Sequence, residues 1–183
     1  EKREFFIENS GVFAFGESVR RGGGANVIPF FSRRIGLSGS TPVPIVGGAR
    51  LSGKVGSYDV GFLSMKTESI DGRPSDTFTV GRIKKNLMQT SWIGGIFTNR
   101  DSSEQEDYNR LFGLDARFRL FQRLELGAYI LKSTTPGVKG DDQARQFEAA
   151  WLDSDFTIAA SHHETQDNFN PEVGFIRRRD IEK

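Results

Sequence analysis

The chain has 183 residues with 25 Lys and Arg against 24 Asp and Glu, a formal net charge of +1, and this balance excludes a global cationic surface for nucleic acid or anionic lipid. Hydrophobic residues make up 36% and charged residues 27%, short of a helical membrane protein's apolar richness, while 16 Phe are too many for a disordered chain. With no Cys, disulfides, thiolate nucleophiles, zinc–thiolate sites and iron–sulfur clusters are excluded.

The charged opening Glu1-Lys2-Arg3-Glu4, with no initiator Met, signal core or cleavage site, predicts a chain that begins mid-protein. The length suits one domain or part of a larger one. No stretch approaches the roughly 20 uninterrupted apolar residues of a spanning helix. Spanning by strands stays open, because a strand needs only about 10 residues with one apolar face. Residues 1–44 hold Phe5, Phe6, Phe13, Phe15, Phe30 and Phe31 among Gly22-Gly23-Gly24, Pro29, Pro42 and Pro44. This composition predicts an irregular entry segment that plugs or covers the structure following it, or an ordinary loop pinned by buried Phe.

Residues 45–183 carry the period of two that marks strands. Ile45, Gly47, Ala49, Leu51, Gly53 and Val55 alternate with Arg50, Ser52 and Lys54. Phe112, Leu114, Ala116, Phe118 and Leu120 alternate with Asp115, Arg117 and Arg119. Leu124, Leu126, Ala128 and Ile130 are opposed in part by Glu125, and Phe156, Ile158 and Ala160 by Thr157, Ala159 and Ser161. Weaker strands read at 58–66, 78–85, 91–98 and 146–152. Short links at 56–57, 87–89, 122–123 and 153–155 suit tight hairpins and alternate with long polar links at 68–77, 99–109 and 134–143. The expectation is all-β: an antiparallel up-and-down meander of about eight strands, with one trim rim and one ragged rim, as in part of a transmembrane β-barrel.

The runs Glu1-Lys2-Arg3-Glu4-Phe5-Phe6-Ile7-Glu8-Asn9, Phe13-Ala14-Phe15-Gly16, Ser32-Arg33-Arg34-Ile35-Gly36 and Gly47-Gly48-Ala49-Arg50-Leu51-Ser52-Gly53-Lys54 carry a likeness that continues in Thr98-Asn99-Arg100, Tyr108-Asn109-Arg110, Gly140-Asp141-Asp142 and Asn168-Phe169-Asn170-Pro171-Glu172-Val173-Gly174-Phe175-Ile176-Arg177-Arg178-Arg179-Asp180. Over most of its length the chain resembles an uncharacterised bacterial family of outer-membrane-type β-barrel domains that follow a sugar-binding-like module of carbohydrate-binding family 9. The resemblance implies longer proteins, with that module before this segment and further strands after it. It implies no catalytic residues.

Local motifs for chemistry are sparse. His162 and Glu164 share a strand face, which His163 does not, and two ligands fall short of the three protein ligands of catalytic zinc. Asp141-Asp142 after Gly140, and Asp101 with Glu104, Glu106 and Asp107, offer oxygen ligands without the spacing of a calcium loop. Gly22-Gly23-Gly24 lacks the Lys-Ser/Thr of a phosphate loop, and no Gly-x-Ser-x-Gly elbow occurs. Arg177-Arg178-Arg179 beside Asp180 is a solvated charge run rather than a nucleic-acid motif.

The basic residues on strands, Arg50, Lys54, Arg82, Lys84, Arg117 and Arg119, and also Arg33 and Arg34, interleave with acids. In a barrel, Arg50, Lys54, Asp115, Arg117 and Arg119 line the lumen while Leu51, Val55, Leu114, Phe118, Leu126 and Ile130 meet lipid. Tyr58, Trp92, Tyr108, Tyr129 and Trp151 suit an interfacial belt, or ordinary core packing. The expected role is non-enzymatic, a pore, plug or surface scaffold of the bacterial outer membrane associated with glycan capture or uptake. Its expected partners are outer-membrane lipid, glycans and other envelope proteins, with no nucleic acid and no cofactor. A soluble β-sandwich that binds carbohydrate, and a glycoside hydrolase built on a carboxylate pair, are the alternatives.

Overall fold

A computed structural model of the chain describes residues 10–19, 25–38, 41–70 and 72–177. Phe5, Phe6, Gly22-Gly23-Gly24 and Arg178-Arg179-Asp180 lie outside the described residues. In chain order there follow a 3-10 turn (Ser10–Phe13), β1 (Val27–Ile28), a second 3-10 turn (Ser32–Arg34), β2 (Leu37–Ser38), β3 (Thr41–Pro42), β4 (Ile45–Val55), β5 (Tyr58–Thr67), β6 (Asp76–Met88), β7 (Ser91–Ser102), β8 (Tyr108–Leu120), β9 (Leu124–Thr134), β10 (Gln143–Leu152), β11 (Thr157–Thr165) and β12 (Phe175–Ile176). Strands β4 to β11 pair in sequence order as one eight-stranded sheet, with β4 and β11 at its edges. All seven pairings are antiparallel. The expected all-β meander is present, and the sheet is open, since β4 and β11 do not pair with each other. No described helix is long and apolar enough to cross a membrane, which has no bearing on strands.

Short and long connections alternate as the sequence predicts, but their limits move. The short turns occupy 56–57, 89–90, 121–123 and 153–156, and the longer links 68–75, 103–107 and 135–142. Residues 99–102 and 108–109, expected in a loop, continue β7 and β8 through pairs such as Asn99 with Arg110 and Asp101 with Tyr108. A polar sequence hides these strand ends, yet ladder pairing and cross-strand contacts override propensity. A bulge at Val46, between the Ile45–Thr67 and Gly47–Lys66 pairs, carries Ile45 onto the opposite face from the one its alternation predicts. There Ile45 packs beside Phe13, Leu63, Met65, Phe78 and Val80.

One face of the sheet is covered by the two ends of the chain. Strands β1 and β12 pair through Val27 with Ile176 and Ile28 with Phe175, and the Phe31 N–H donates to the Val173 carbonyl. These segments meet the sheet in two clusters. The first joins Phe15, Val27 and Phe169 to Ile96, Leu111, Tyr129 and Leu131. The second joins Phe13, Ile35 and Val173 to Leu63, Met65, Phe78 and Val80.

Glycines on this face explain how the cover comes so close. A side-chain carbon built on Gly61 would lie 2.9 Å from Val12 Cγ1, one on Gly113 2.9 Å from the Phe15 ring, and one on Gly127 2.9 Å from Val19 Cγ1. In the cover itself, the same carbon on Gly174 would lie 1.9 Å from the Ile28 carbonyl oxygen, a backbone clash that no rotamer relieves.

Gly174→Ala should therefore cost about 2–3 kcal/mol by overpacking. Gly81→Ala, with nothing within 4 Å of the added carbon, should stay within about 0.5 kcal/mol. Denaturant midpoints of the two variants measure the contrast, and equal midpoints would contradict the packing described.

Candidate functional site

The covered face carries the buried charge of the described residues. Arg82 on β6 and Asp115 on β8 are joined by two parallel hydrogen bonds, Nη1 to Oδ1 at 2.7 Å and Nη2 to Oδ2 at 2.8 Å, and neither side chain is exposed. Gly94, on the strand between them, leaves the room, because its added carbon would lie 2.6 Å from Arg82 Nη1. Both ends of the pair reach the covering chain: Arg82 Nε–H donates to the Ala14 carbonyl at 3.2 Å and Asp115 Oδ2 accepts the Gly16 N–H at 3.0 Å. The Arg82 guanidinium also lies 5.3 Å from the Phe15 ring centroid and 5.8 Å from that of Trp92. A buried ion pair is neutralised in this way only when its remaining hydrogen-bonding capacity is filled.

Three further charged groups on the same face extend the pattern. Glu125 on β9, 1% exposed at its side chain, accepts from Arg117 and Arg119 of β8. Glu148 on β10 accepts from the Ser18 hydroxyl and, at 2.8 Å, from the Val19 N–H. Arg117 Nη1 lies 3.8 Å from Glu17. At the long-link rim Arg100 bonds Asp76, Asp107 and Glu172, which ties the start of β6, the 103–107 link and the C-terminal segment to β7. Asn109 adds to this tie by donating to the Asn170 carbonyl at 2.9 Å.

The opposite face has no cover among the described residues and is apolar. Leu51 is 69% exposed, Leu114 64% and Ile158 65%. Val55, Phe62, Ile83, Ile93, Phe112, Ile130 and Phe147 are exposed with them. Two depressions of about 730 and 750 Å³ lie between these side chains, around Gly81 and Gly95. A patch of this extent is far beyond the scattered apolar residues of an ordinary protein surface.

The sequence-predicted residues divide between the two faces. Leu51, Val55, Leu114 and Ile130 are exposed on the uncovered face, and Phe118 and Leu126 are half-buried there as a cross-strand pair. Arg50, Lys54, Asp115, Arg117 and Arg119 share the covered side, with Arg50 stacked 5.4 Å from the Phe13 ring centroid and Lys54 exposed opposite Asp59. Arg82 and Glu125 hold the deepest charges and were set apart by no local motif. Their signal is an ionic residue at an inward position of the alternation, opposite a glycine or another ion.

The five aromatic residues separate as well. Tyr58 and Trp151 are exposed near the short-turn rim, and Tyr108 lies at the long-link rim against Arg110. Trp92 and Tyr129 are buried on the covered face, the core-packing alternative, since each alternates with an exposed isoleucine on its own strand. Glu164 pairs with Arg145 at 2.6 Å and Asp142 lies 3.7 Å from Lys132. No cluster of three metal-binding side chains occurs among the described residues.

Arg82→Met should cost about 3–5 kcal/mol by leaving Asp115 buried without its partner, and Asp115→Leu in addition should recover much of that loss. A double-mutant cycle on unfolding free energies tests both, and strict additivity would refute the coupling.

Acid should loosen the long-link rim. The Arg100 hydrogen bond holds the Asp107 carboxyl below its ordinary value of 3.8, against the opposing effect of burial. Its folded pKa lies below the unfolded one, so the tie stabilises above the unfolded value and is lost as pH falls through the folded value. Protection of the 103–107 amides, relative to their intrinsic exchange at each pH, should fall below about pH 4, and Asp107→Asn should show the lower protection already at neutral pH.

No protein-family model, curated protein or solved structure matches this chain.

Proposed function

We propose that the chain forms part of the wall of a bacterial outer-membrane β-barrel, non-enzymatic in role, with the uncovered face toward lipid and the covered face toward the lumen. One observation carries this reading: exposed apolar side chains run across all eight strands on one face, while the ion pairs Arg82–Asp115 and Arg117–Glu125 sit on the other. A water-soluble sandwich also packs greasy residues between its layers, but its outer faces are polar, whereas here the outer face of the sheet is apolar as well.

The dimensions agree with a bilayer. On β8 the uncovered face is apolar from Phe112 to Leu120, eight residue steps or about 27 Å along the strand. A strand tilt of about 40° reduces this to about 21 Å, near the apolar band of about 25 Å in such barrels. Arg110, Lys132 and Arg145 bound the band toward the long links. Hydrocarbon leaves no peptide group unpaired at low cost, so in the membrane the free edges of β4 and β11 must each be hydrogen-bonded to a strand.

Leu114→Arg or Leu126→Arg should cost about 2–4 kcal/mol for folding into phospholipid vesicles. Lys54→Leu, on the other face, should have a much smaller effect. A neutral outcome for both arginine variants, or a chain that stays monomeric in buffer without detergent, would defeat the proposal.

A further inference from the structure

Residues 12–19 cross the covered face at an angle to the strands, from β5 to β10. Val12 and Phe13 lie over Gly61, Phe15 over Gly113 and Val19 over Gly127. In the barrel reading, on which this inference rests, that path is a crossing of the lumen. We infer that this strap is a built-in stopper with a permanent anchor and a releasable latch.

The anchor is the buried pair. Arg82 and Asp115 hold the Ala14 carbonyl and the Gly16 N–H, and neither ion has water as an alternative partner. The latch is Glu148, which takes the Ser18 hydroxyl and the Val19 N–H in a part-buried setting. Water or a hydroxylated solute can replace those bonds at small cost, since each is a single exchangeable contact. Gly16, the last residue the anchor holds, lies at φ +61 against the Tyr129 ring, on the side toward the latch. That left-handed conformation is one glycine adopts freely, so the backbone can turn there without moving the anchor. Glu17, 3.8 Å from Arg117 and half-exposed, adds a weak contact on the latch side.

The test uses the full-length polypeptide. Vesicle flotation in urea first establishes membrane insertion; planar-bilayer conductance in potassium chloride then measures the path through the protein. The wild type should conduct weakly and Glu148→Ala severalfold more, with Ser18→Ala intermediate. Because the chain has no Cys of its own, Val19→Cys with Gly127→Cys can be oxidised as a specific lock in the Glu148→Ala background. Oxidation should return conductance to the wild-type level and reduction should release it.

If the inserted wild type and the inserted Glu148→Ala and Ser18→Ala variants conduct alike, the stopper is overturned while the membrane reading survives. Should Glu148→Ala fail to fold, Ser18→Ala decides alone. Failure of the disulfide to form under oxidation also overturns the stopper, since Val19 would then not lie on Gly127. Failure of the wild type to insert overturns the membrane reading and the stopper with it.

Discussion

Alternation is the constraint from which the rest of the molecule follows. A strand must present successive side chains to opposite faces, so eight paired strands create two surfaces of about equal area. The described residues of this chain cover only one of them. It spends its two ends on the face that carries Arg82, Asp115, Glu125 and Glu148, and leaves Leu51, Leu114 and Ile158 bare. Both faces carry apolar side chains, and hydrophobic burial in water would leave neither of them bare. The arrangement makes sense where the surroundings are themselves apolar and the charged groups need company inside.

The covered face shows how such charges are tolerated. Arg82 and Asp115 satisfy each other and also take a carbonyl and an amide from the strap, so the pair acts as a connector between layers as well as a buried ion pair. Removing either ion would strand the other and also release the one backbone group it holds, the Ala14 carbonyl or the Gly16 N–H. Glycine supplies the complementary feature. At positions 61, 94, 113 and 127 the sheet lacks a side chain where something else must sit: aromatic or aliphatic strap residues in three cases, and the guanidinium in the fourth.

Much of the architecture was legible in the amino-acid order because alternation is local. The meander, the eight strands and the alternation of short with longer links follow from period two and from turn residues. The two-sided placement of Leu114 and Asp115 follows from their adjacency alone. What could not be read depends on contacts between distant residues. The extension of β7 to Ser102 rests on cross-strand pairs and on an arginine shared by three carboxylates. The Val46 bulge reverses one residue through register, and for Trp92 and Tyr129 belt and core stayed open because composition ignores the face. Arg82 stood among the basic strand residues, but no neighbour in sequence announces its partner, Asp115, thirty-three residues away.

The two outer strands carry a consequence of their own. Strand β4 offers eleven residues and β11 nine, each with a row of amide and carbonyl groups on its outward side, and both adjoin exposed aliphatic surface. Such rims are templates on which further copies stack edge to edge. On the barrel reading proposed above, the polypeptide overproduced away from a bilayer should therefore collect in inclusion bodies, and refolding it calls for a micelle to be present before the denaturant is diluted.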